Sequence, residues 1–65
     1  MMNAAQRLTY KFLSLPHIYR QELCQMYGVQ EQDTEENTYI QLFLKVKQEG
    51  KLDQLEQEID KLIED

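Results

Sequence analysis

An all-α fold, a compact bundle of four or at most five helices, is predicted from three features of this 65-residue chain. Two apolar rows with helical spacing stand on either side of a short break, the single Pro and two Gly fall where helices should start or stop, and β-branched residues are few. Tyr39, Leu42, Phe43 and Val46 lie at i, i+3, i+4 and i+7, and Leu55, Ile59, Leu62 and Ile63 at i, i+4, i+7 and i+8, so each set occupies one face of a helix. Between the rows Gly50 suits the left-handed residue that ends a helix, and Asp53 is placed to cap the next, with Glu56 completing a capping box. The two rows together describe a helical hairpin.

The first helix is expected from Asn3, a cap residue, to about Ser14, with Leu8, Phe12 and Leu15 inward and Arg7 and Lys11 on a neighbouring face. Pro16 disfavours helix at Leu15 and suits the first turn of a second helix, which carries Tyr19, Leu23, Met26 and Tyr27 on one face and ends at Gly28. Asp33 with Glu36 is a second capping-box pattern, opening a third helix from about Thr34 to Gln48. Ile40 and Leu44 widen its apolar surface past half the circumference and make it the expected centre of the bundle. They are expected to pack on the first or second helix; left uncovered, they would form an apolar patch that marks a binding surface. The fourth helix, about Asp53 to Ile63, has an acidic outer face.

A chain of this length is one domain, either a whole small protein or part of a longer one, with a stability of about 3–5 kcal/mol from its single core. The net charge is -5, and it is unevenly spread: residues 1–20 hold three bases and no acid, whereas residues 21–65 hold four bases and twelve acids. That balance argues against nucleic acid as a partner. The lone Cys24 can form no internal disulfide, no stretch has the length of a membrane span, and no signal-peptide core opens the chain, so a cytoplasmic location away from membranes is expected.

Enzyme chemistry has little to work with: no nucleophile–base pair, metal set or phosphate loop is present, and no cofactor is expected. His17 and Cys24 are two helical turns apart, roughly 10 Å, which is too far for one metal or a catalytic pair. The residues left for function are charged or apolar surface groups. Arg7, Lys11 and Arg20 form a basic face, and Glu56, Asp60 and Glu64 an acidic row at i, i+4 and i+8. Either could meet a protein partner of opposite charge, with Ile40 and Leu44 as the apolar alternative and Tyr10 as an exposed aromatic.

The order Leu8...Phe12...Leu15-Pro16...Arg20...Leu23...Tyr27-Gly28-Val29, followed by Leu42-Phe43..Val46...Gly50-Lys51-Leu52..Leu55, resembles the small bacterial effector-associated domains. The resemblance covers most of the chain and is strongest in "LF..V...GKL..L" after "LP...R..L....GV". It implies a death-like helical bundle without enzymatic activity. Such an adaptor couples effectors to a bacterial defence or signalling system by association with protein, including another copy of the same domain type. Death-like bundles often have five or six helices, and this chain has sequence for four. The competing expectation is a small helical regulator that sequesters an enzyme or transcription factor through an apolar groove.

Overall fold

Capping chemistry sets the corners of the chain, and the apolar rows decide how the segments between them pack. The computed structural model describes residues 3–64 and places four α-helices among them: α1 (Ala4–Ser14), α2 (His17–Met26), α3 (Glu35–Gln48) and α4 (Leu52–Glu64). The all-α, four-helix architecture expected from the spacing is the architecture found.

Asn3 and Gln6 cap α1 reciprocally: the Gln6 N–H donates to Asn3 Oδ1 at 2.8 Å, and the Asn3 N–H donates to Gln6 Oε1 at 3.2 Å. Pro16 leaves Leu15 extended at φ -74°, ψ 148°, and α2 starts immediately after it. α2 and α3 both end in Schellman turns. After α2, Gly28 has φ 71° and the Val29 N–H reaches the Cys24 carbonyl at 2.8 Å; after α3, Gly50 has φ 71° and the Lys51 N–H reaches the Val46 carbonyl at 2.9 Å.

Two caps differ from expectation, by one residue at α3 and by two at α4. Thr34, not Asp33, caps α3: its hydroxyl accepts from the Asn37 N–H at 3.1 Å, while Asp33 accepts from the Asn37 side chain at 2.9 Å. α4 begins at Leu52, so Asp53 sits inside the first turn and favours it through the helix dipole instead of capping it. The Schellman turn at Gly50 returns the chain to helix too early for an Asp53 cap.

The core unites all four helices. α1, α3 and α4 pack pairwise on one another, and α2 adds Leu23, Cys24 and Tyr27. Phe12, Leu42, Val46, Leu55 and Ile59 are fully buried. Phe12 and Tyr39 meet at a ring separation of 5.3 Å, Tyr39 meets Phe43 at 5.8 Å, and the Tyr39 hydroxyl donates to the Ala5 carbonyl at 3.3 Å. Thr38 is buried with its hydroxyl satisfied twice: it accepts from the Gln32 N–H at 2.8 Å and donates to the Thr34 carbonyl at 2.9 Å, which holds the α2–α3 connection against α3.

Several apolar positions part from the expected packing. Met26 is exposed and Cys24 takes the buried place, because α2 faces the core through its Leu23, Cys24 and Tyr27 side. Ile63 is exposed near the end of α4, where the bundle no longer covers it. Ile40 and Leu44 are exposed and not buried against α1 or α2 as expected. α3 therefore presents its flanking apolar face to solvent instead of being enclosed at the bundle centre.

Candidate interaction surface

The basic and acidic rows are brought together within the chain. Arg7 and Lys11 flank the Leu8–Phe12 row of α1, Glu56 and Asp60 flank the Leu55–Ile59 row of α4, and packing the apolar rows brings the flanks into contact. The Arg7 guanidinium donates to both Glu56 oxygens at 2.6 and 3.1 Å; Lys11 Nζ reaches Glu56 at 3.1 Å and Asp60 at 2.8 Å. Partner numbers rise together along the two helices, so α1 and α4 run parallel. Four of the six charges expected to face a partner are thus committed to a clamp between α1 and α4.

Glu56 is the hub of that clamp. Its hydrogen bonds from Arg7, then those from Lys11, hold its pKa at about 2, well below the usual carboxylate value. A carboxylate depressed in the folded state contributes stability that is complete above its ordinary pKa and fades as pH falls toward the folded one. Glu56→Gln is expected to lower Tm by about 4 °C at neutral pH, in keeping with an exposed ion-pair network in a small domain. Melting curves of both proteins between pH 5 and pH 2 should converge at the acid end; a gap independent of pH would mean that Glu56 is not held charged by its partners.

The other two charges behave differently. Arg20 is nearly covered: it donates to the Leu15 carbonyl, which Pro16 leaves without a helical partner, and pairs with Glu35 at the start of α3. It ties the α1–α2 corner to α3. Glu64 is exposed in the last turn of α4, away from the Arg7–Lys11 clamp.

The outer face of α3 is open as well. Ile40 and Leu44, one turn apart, keep 47% and 54% of their surface in water. Tyr10 is still more exposed, on the outer side of α1 beside a shallow depression lined by Gln6, Thr9 and Leu13. Glu36, which the sequence offers only as a capping-box acid, and Lys47 lie on the same side of α3 as Ile40 and Leu44. Their spacing of i, i+4, i+8 and i+11 is a signal that the sequence did contain.

A cleft of about 400 Å³ opens between α2 and the α2–α3 connection, lined by His17, Arg20, Cys24, Val29, Glu31 and Thr38 among others. His17 Nε2 faces Glu31 at 3.5 Å, and Cys24 is buried. Burial, with the Glu31 charge second, pushes the Cys24 thiol pKa up and disfavours the thiolate that nucleophilic chemistry needs. Among the described residues no three His, Cys, Asp or Glu side chains converge as metal ligands, and no helix is long and apolar enough to cross a membrane. Comparison with known protein families, curated proteins and solved structures gives no match for this chain.

Proposed function

We propose that this chain is a non-enzymatic adaptor domain that joins effectors of a bacterial defence or signalling system through association of like domains. The observation that carries the reading is the side-by-side exposure of Ile40 and Leu44 on α3. Ile18, Met26 and Ile63 are exposed as well, but Ile40 and Leu44 stand one turn apart on a single face of a rigid helix between capped ends, with about half of each in water. The effector-associated resemblance supports the adaptor class. Because Arg7, Lys11, Glu56 and Asp60 are engaged with one another, their first role is to fix α1 against α4, and the contact with a partner is assigned to α3.

A second reading, capture of an enzyme or transcription factor on the same apolar pair, draws on the same exposure. The two are separated by fusing the domain to a dimeric carrier, so that weak contacts between domains link carriers into clusters. Homotypic association predicts clustering by light scattering for the wild type and a loss of at least about tenfold in apparent affinity for Ile40→Asp/Leu44→Asp, two charges set into an apolar contact. Wild-type carriers that stay dispersed would eliminate the homotypic reading and leave the second.

A further inference from the structure

The exposed face of α3 is patterned along its length. Glu36, Ile40, Leu44 and Lys47 are all exposed, and at about 100° per residue they fall within an arc of about 80° on the helix. The acid stands toward the N-terminal end, the base toward the C-terminal end, and the two aliphatic residues lie between. Neither Glu36 nor Lys47 has an ion-pair partner among the described residues, whereas the adjacent Glu35 is taken by Arg20. Reversed end to end, this pattern is complementary to itself.

We infer that the occupant of this face is a second copy of the chain, with the two α3 helices antiparallel about a two-fold axis level with Leu42. Resting on the homotypic reading above, the inference adds to it a geometry. Ile40 of each copy packs on Leu44 of the other, since both lie two residues from the axis. Glu36 then lies within one residue, about 1.5 Å along the axis, of the level of Lys47 in the other copy, close enough for the two side chains to pair. Every contact occurs twice, as a two-fold interface requires. A parallel, in-register pair would set Glu36 against Glu36 and Lys47 against Lys47, so charge selects the antiparallel arrangement.

Closure at two copies has a functional meaning: the domain pairs effectors and does not build filaments. One 14-residue helix on each side is a short contact. It falls below the ~1,200–2,000 Å² of stable complexes, so a dissociation constant on the order of 0.1–1 mM is expected, tightened when the domain is linked to an already multivalent protein.

The test is sedimentation equilibrium over a dilution series reaching about 1 mM, the range set by that contact area. The proteins are wild type, Glu36→Lys, Lys47→Glu, and an equimolar mixture of the two variants, each checked for folding by circular dichroism. The wild-type mass is expected to rise from the 7.8 kDa monomer toward twice that value and stop. Each variant alone places two like-charged pairs at the interface and should associate about fivefold more weakly. In the mixture each variant supplies the charge that the other lacks, and wild-type association should return. A mixture as weak as its components overturns the antiparallel geometry, as does growth beyond the dimer, while self-association sensitive to Ile40→Asp/Leu44→Asp still upholds the homotypic reading. A wild type monomeric up to about 1 mM, and dispersed on the dimeric carrier, overturns both.

Discussion

Phe12→Ala is expected to leave the domain largely unfolded at room temperature. Phe12 has no exposed surface and stands where α1 meets α3, its ring 5.3 Å from that of Tyr39. Truncating a buried Phe costs about 3–5 kcal/mol, the lost transfer of the ring plus the cavity that it leaves. A single core of this size supplies about 3–5 kcal/mol in total, so the loss equals the whole. The site cannot collapse to relieve it, since Tyr39 is held from the other side by its hydroxyl bond to the Ala5 carbonyl and by contact with Phe43. Far-UV circular dichroism with urea titration reads the outcome: the helical signal should be mostly lost without denaturant. Phe12→Leu, which preserves most of the volume, should stay folded with a lower midpoint. A folded Phe12→Ala protein with a midpoint near wild type would mean that the α1–α3 contact is not structural.

The helices were legible because their signals are local. Asn3, Pro16, Gly28 and Gly50 act within one turn of their own positions, and each ends or starts a helix where its chemistry requires. The errors lie where a neighbour decides. Met26 and Cys24 both sit near the edge of the α2 apolar face, and only the side that α2 turns to the core chooses between them. Ile40 and Leu44 read as core by composition, yet four helices of this length cannot surround α3 completely.

The charged rows carry the same lesson. Seven basic and twelve acidic residues in a split distribution suggested two open faces. Arg7, Lys11, Glu56 and Asp60 instead meet inside the chain, because each row borders an apolar row that must be buried against the other. The sequence held that signal in the adjacency of the rows, but pairing them needed the parallel packing of α1 and α4. Glu36 reads only as a capping-box acid, and Lys47 carries no reading at all, for the opposite reason. Their meaning depends on the face left over after the fold is complete.

Replacing Gly50 with Val is expected to cost about 2–3 kcal/mol, a large share of the ~3–5 kcal/mol that holds the domain together. Gly50 has φ 71°, and an added Cβ there meets nothing within 4 Å. The loss therefore comes from the backbone, because a β-branched side chain is a strong outlier in the left-handed region. Escaping that strain by moving φ would break the Schellman bonds from Gly50 to Lys47 and from Lys51 to Val46, which set the angle between α3 and α4. Gly50→Asn supplies the control. Asn tolerates the left-handed conformation, so it should retain most of the stability in the same open space. Gly28 shares the positive φ, but a Cβ at that position also approaches Lys45 Nζ at 3.2 Å, so only Gly50 isolates the conformational cost. Thermal melts of the three proteins decide the point. If Val and Asn prove equally tolerated, the hairpin is held by Leu42, Val46, Leu55 and Ile59 alone, and the turn merely follows their packing.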